Sequence, residues 1–167
     1  DQPWSYASLA KAKAAYESGG IPLAVIESRP PMEKIKLGLP GRDEEIDVVC
    51  QLLRNMGRLD IPVWCYAWMP ILGVIRTSVS IATRGEALVS GFDLAALPTS
   101  QRPIRNIDGV PLAEQAAGGM EVTEQEQWDN LKYFLERVIP VAEEAHVKLA
   151  MHPDDPPLSP INGIPRI

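Results

Sequence analysis

The sharpest chemical feature of the sequence is a histidine followed by a proline-framed pair of carboxylates, His152-Pro153-Asp154-Asp155-Pro156-Pro157. Proline fixes its own φ and restricts the residue before it, so this loop should be stiff. A stiff loop carrying an imidazole and two carboxylates suits a metal ion or a polyhydroxy ligand. The plainer alternative is a hydrogen-bonded histidine, with Asp154 and Asp155 as solvated loop residues. The other histidine, His146, falls at a predicted helix end. One imidazole with nearby carboxylates does not complete a metal site.

Other groups could contribute. Glu27 ends an apolar run, where a carboxylate can bind hydroxyls or act as a base; it could equally pair with a neighbouring Lys or Arg. Tyr66 and Trp68 end another run and could line a sugar pocket, although aromatics in such places more often pack. Arg76, beside Thr77, could clamp a substrate carboxylate with two hydrogen bonds, where most loop arginines are simply solvated. The basic, Gly- and Pro-containing segment 34–43 could cover a substrate or could be a plain connection.

The elements that must position these groups follow one repeated grammar. Segments 19–30, 60–70 and 146–153 each hold a short apolar run, then a polar or ionisable residue, then proline. Such runs suit strands buried on both faces of a parallel sheet, near residues 21–28, 61–68 and 147–152. Helical patterns precede each run. Residues 5–17 are followed by Gly19-Gly20 as a stop. Ile46, Val49, Cys50, Leu53 and Met56 recur at helical spacing. Thr123-x-x-Glu126 reads as a capping box ahead of a stripe formed by Trp128, Leu131, Leu135, Val138, Ala142 and Ala145. Pro140 lies inside that stripe and should kink the helix or strain its last turns. Alternating helices and strands predict a parallel α/β fold, within a single domain spanning residues 1–167. The long segment 71–122 breaks the alternation as an extended loop or insertion. An open doubly wound sheet and part of a (β/α)₈ barrel both fit. No Gly-rich phosphate loop follows a strand, and polar groups cluster at strand carboxyl ends, where a barrel keeps its active site.

The totals narrow the function classes. With 167 residues the chain can bury a core, but it offers about three of the eight strands that a barrel of ~250 residues needs. No apolar run reaches the ~18–20 residues of a membrane helix, and no signal peptide is visible, so a cytoplasmic setting without membrane contact is expected. A net charge of −6 without a basic stripe argues against nucleic acid as a partner. Cys50 and Cys65 lie within apolar patterns and read as free thiols. The absence of an initiator Met and the abrupt end at Pro165-Arg166-Ile167 suggest truncation at both ends.

Several stretches, in order along nearly the whole chain, resemble the mannonate dehydratase family. Glu27-Ser28 and then residues 35–43 resemble the loop after that family's second strand. Val63-Trp64-Cys65-Tyr66-Ala67-Trp68-Met69-Pro70 resembles its third strand, and Arg76-Thr77 the pair that follows. Residues 138–145 and then Met151-His152-Pro153-Asp154-Asp155-Pro156-Pro157 resemble its most distinctive stretch. The resemblance implies a partial xylose-isomerase-like TIM barrel with about three βα units. It implies a hydro-lyase that converts D-mannonate to 2-dehydro-3-deoxy-D-gluconate in hexuronate breakdown, with Mn²⁺ or Fe²⁺. His152 would be one metal ligand, with a Cys, a second His and an Asp supplied by later strands. Cys65 belongs to the third-strand motif and is not the metal cysteine. Glu27, Tyr66, Arg76, Asp154 and Asp155 would contact the sugar acid, and a homo-oligomer is compatible. Ala67 stands where the family has Asn, and Ile75 and Ser78 flank Arg76-Thr77 in place of Trp and Asp, which suggests a divergent branch. An isomerase or epimerase on the same scaffold, or a non-catalytic fragment, are the alternative readings.

Overall fold

The computed structural model describes residues 2–27, 30–71, 73–99, 122–161 and 164–167. The chain divides into two compact units: Asp1–Trp68 with Glu124–Pro153, and Met69–Thr123 with Asp154–Ile167.

The first unit is the predicted parallel α/β layer. Strands β1 (Val25–Glu27), β2 (Val63–Ala67) and β5 (Lys148–His152) form a sheet in the order β1-β2-β5. Both pairings are parallel. Val25 aligns with Val63 and Glu27 with Cys65, while Val63 aligns with Lys148 and Ala67 with His152. The strands are shorter than the apolar runs that announced them. Pro22 has no N–H to give a ladder, and β1 is only three residues long. Ser28, which the sequence places in that strand, lies outside the described residues. Pro62 and Pro153 bracket β2 and β5 in the same way, although the Pro62 carbonyl still accepts from the Lys148 N–H at 2.8 Å.

The helices of this unit are α1 (Tyr6–Ser18), α2 (Glu33–Leu37), α3 (Arg42–Arg58) and α4 (Glu124–Glu144). Three helix-to-strand turns share one device. Gly20, Asp60 and His146 have φ of 76°, 53° and 56°. The N–H of the next residue, Ile21, Ile61 or Val147, reaches back to the carbonyl of Tyr16, Met56 or Ala142. This left-handed cap satisfies an otherwise orphaned helix carbonyl and swings the chain into the strand. The Gly19-Gly20 stop is observed.

Helix α3 buries the predicted Ile46, Val49, Cys50, Leu53 and Met56. Its Asp43, Glu44 and Glu45 sit in the first turn, where negative charge complements the helix dipole. The segment 34–43 is largely a docked connection: Ile35 and Lys36 are buried in α2, and Gly38 closes that helix at φ 66°. Glu45 accepts from the Lys34 and Ile35 N–H groups at 2.9 and 3.2 Å, capping α2.

Helix α4 departs from the sequence reading twice. Its buried stripe is Gln127, Leu131, Phe134, Val138 and Ala142, whereas Trp128 is 47% exposed. The helix carries two adjacent apolar stripes, and contact with β2 selects the one containing Phe134. The helix also runs through Pro140 without ending. The carbonyl that loses its partner belongs to Glu136, an exposed residue, so water can replace the missing bond.

The second unit holds structure within the stretch expected to be a long loop. Strands β3 (Ser78–Ala82) and β4 (Leu88–Gly91) form an antiparallel hairpin, followed by a 3₁₀ turn at Leu94–Thr99. Alternation is weak here because most of the hairpin is exposed on both faces, which hid it from a periodicity argument. Residues 100–121 of the same stretch lie outside the described residues. The unit's small core joins Ile75 and Ile161 with Phe92, Leu97 and Ile164. Among the described residues no helix is long and apolar enough to cross a membrane.

Candidate active site

Register and alternation sort the strand residues onto two faces. Val25, Glu27, Val63, Cys65, Ala67, Lys148, Ala150 and His152 share one face, through the pairings Glu27–Cys65–Ala150 and Ala67–His152. Trp64, Tyr66, Leu149 and Met151 occupy the other. The second face carries the core. Trp64 is fully buried, its ring stacks on Tyr66 at 5.2 Å, and Tyr66 meets Phe134 of α4 edge-on at 5.6 Å. Burial raises the Tyr66 hydroxyl pKa. Tyr66 is therefore not gathered with Glu27 and His152: it faces the helix layer. Trp68 has the same parity and also packs on Phe134, at 5.5 Å.

The first face is the more open one. Glu27 and Lys148 are exposed, and Cys65, Ala150 and His152 are half-buried. Glu27 and His152 stand at strand carboxyl ends on this face, the placement the sequence reading required. Cys65 is level with Glu27 in register, on the strand between β1 and β5. Burial, and then the charge of Glu27, push its pKa up, which keeps it a neutral thiol.

His152 Nδ1 lies 2.7 Å from the Pro153 carbonyl oxygen. A carbonyl only accepts, so Nδ1 is the donor, and in the neutral tautomer that makes this bond Nε2 holds the lone pair. Imidazoles that bind metal are oriented in this way, by a second hydrogen bond from the other ring nitrogen. The residue thus fits a divalent ion as a ligand. It does not complete a site, since among the described residues no three His, Cys, Asp or Glu side chains converge to hold a metal ion.

In the second unit, Arg76, Asp154 and Asp155 meet a residue that the sequence reading did not single out. Arg76 donates through Nη1 and Nη2 to the two carboxylate oxygens of Asp155, at 2.7 and 2.5 Å. This fork-to-fork pair is the geometry by which arginine grips a carboxylate. Asp154 is 8% exposed and forms an ion pair with Arg166, Nε to Oδ2 3.0 Å, in which both side chains are almost fully buried. Arg166 Nη2 also donates to the Asp155 carbonyl at 3.2 Å, and its N–H donates to Ser159 Oγ at 2.9 Å. The segment around Arg76 is held on both sides. The Ile75 N–H donates to the Asp155 carbonyl at 3.1 Å, and the Thr77 N–H donates to the Gly91 carbonyl at 3.0 Å. The sequence signal that could have found Arg166 is weak: a lone arginine after Ile164-Pro165, close in sequence to two carboxylates.

The D-mannonate dehydratase (UxuA) family model matches residues 1–167. A mannonate dehydratase of Thermotoga maritima is 37% identical over 181 residues, covering 98% of this chain and 50% of the relative. One from Streptococcus pneumoniae is 35% identical over 176 residues, covering 99% of this chain and 48% of its own length. The crystal structure of mannonate dehydratase from Streptococcus suis serotype 2 matches with a TM-score of 0.81 at 36% identity, over 99% of this chain and 45% of that one. The chain spans about half the length of the relatives it matches. By a family match along its whole length, the chain belongs to the D-mannonate dehydratase family.

Proposed function

We propose that the protein containing this chain dehydrates D-mannonate to 2-dehydro-3-deoxy-D-gluconate, as a hydro-lyase of hexuronate catabolism in the cytoplasm. The observation that carries the reading is the match of nearly the whole chain to named mannonate dehydratases at 35–37% identity. In this reaction a proton leaves the carbon next to the carboxylate and hydroxide leaves the following carbon. The resulting enol then becomes the 2-keto acid. A bound Mn²⁺ or Fe²⁺ would stabilise the charge that develops at the carboxylate and the departing oxygen. His152 Nε2 would hold that ion as one ligand. Glu27, on the same strand-end face, would accept a hydrogen bond from a sugar hydroxyl. Arg76 would take the substrate carboxylate on the Nε-bearing edge of its guanidinium while Asp155 holds the Nη1 and Nη2 side, whereas Asp154 would hold the turn and Tyr66 would support the strand. With one such ligand among its described residues, the 167-residue chain alone is expected to be inactive.

The test is an assay of the full-length protein with D-mannonate and Mn²⁺, following 2-keto acid formation. Wild type should make the product, and His152→Ala should lose both product and bound metal. No keto acid from wild type would refute the activity, and an isomeric sugar acid as the product would favour an isomerase or epimerase. Unchanged metal content in His152→Ala would remove His152 from the ligand set.

A further inference from the structure

Asp155 is a junction within the second unit. Its carboxylate grips both terminal nitrogens of Arg76, and its carbonyl accepts from the Ile75 N–H and from Arg166 Nη2. Arg166 also pairs with Asp154, so one guanidinium touches two consecutive residues of the turn. A planar guanidinium can do this because its donors form a rigid fork, which a lysine ammonium lacks. Its burial has a purpose in this arrangement. A solvated arginine would exchange partners with water, whereas a buried pair fixes one geometry, at a desolvation cost that the Coulomb attraction only partly offsets.

We propose that Arg166 is the positioning residue for Arg76. It fixes the Asp154–Asp155 turn, and the turn fixes the direction in which the Arg76 fork points. The idea rests on the reading of Arg76 as the group that receives the sugar-acid carboxylate. Arg166 itself touches no substrate. Its effect passes through Asp155, so losing it should loosen Arg76 without unfolding the unit.

Two variants of the full-length protein separate positioning from plain stability. Arg166→Lys keeps the charge beside Asp154 but cannot span to the Asp155 carbonyl at the same time. The double variant Asp154→Leu/Arg166→Met removes both buried charges, a replacement that is often neutral or stabilising. The first readout is the rate at which phenylglyoxal labels Arg76, followed by peptide mass spectrometry. The second is the split between KM and kcat for D-mannonate. Loss of one charge-assisted restraint should raise Arg76 labelling and KM by about tenfold in both variants, with kcat little changed. Both effects should persist in the double variant even where its Tm matches wild type. Arg76 labelling at the wild-type rate in either folded variant would overturn the proposal. If wild type does not turn over D-mannonate, the proposed activity fails, while Arg76 labelling still decides the role of Arg166.

Discussion

Substituting Gly57 by alanine sets two effects of opposite sign against each other. Gly57 lies in the last turn of α3, and in a helix alanine is favoured over glycine by about 1 kcal/mol. Sterics oppose this. A Cβ at position 57 would lie 2.4 Å from the Ala145 carbonyl oxygen, 3.0 Å from its Cβ and 3.1 Å from its carbonyl carbon. The obstacle is mostly backbone, at the turn that leads from α4 into β5, so it cannot rotate aside. Overpacking of this kind costs about 1–3 kcal/mol. A first contact so far below van der Waals distance places Gly57→Ala toward the upper part of that range, and the net loss should be about 1–2 kcal/mol. With a urea m-value of about 2 kcal/mol/M, the middle of the usual range, the unfolding midpoint should fall by about 0.5–1 M. Urea titration followed by tryptophan fluorescence measures this directly. A midpoint equal to or above wild type would show that α3 and the 145–147 turn can separate at little cost, and that the close approach does not set the start of β5.

Three further perturbations test other links. Phe134→Ala removes a fully buried ring that contacts Tyr66 and Trp68, and should cost about 3–5 kcal/mol in chemical denaturation; a loss below about 1 kcal/mol would mean that α4 is not pinned to β2 by this residue. His146→Gly relieves a non-glycine residue at φ 56° and should raise stability by about 1 kcal/mol, read as a higher Tm; a lower Tm would mean that the imidazole contributes more than the strain costs. Glu45 has its pKa raised chiefly by burial, so between the unfolded and folded pKa values the native state holds more protons. Its contribution to stability is thus complete below the unfolded pKa and declines as pH rises through the folded pKa. Glu45→Gln should flatten the stability profile over that window, and an unchanged slope in pH-dependent urea titrations would exclude Glu45 as its source.

The sequence made the three parallel strands legible because strands buried in a parallel layer are written as short apolar runs, and the prolines marked their ends. It placed Glu27 and His152 at strand carboxyl ends for the same reason. It could not tell which side of a strand Tyr66 faces, since in an apolar run alternation carries little contrast; the pairing of Tyr66 with Met151 and its contact with Phe134 settle that. The phase of α4 was also hidden, because Leu135 and Phe134 are equally apolar and only the surface of β2 chooses between them. Arg166 was only faintly signalled, for a different reason. Nearness in sequence to two carboxylates does not say that the pair is buried, because burial depends on a close approach in space.

The alternation along β2 also separates two kinds of evolutionary freedom. Trp64 and Tyr66 are confined by the volume of the helix layer, so few exchanges fit there. Val63 and Cys65 look away from that layer and are only half-buried, so their side chains can change in polarity without disturbing it. A lineage could therefore retune what the sheet presents to a ligand, one odd-numbered position at a time, while every step kept a stable scaffold.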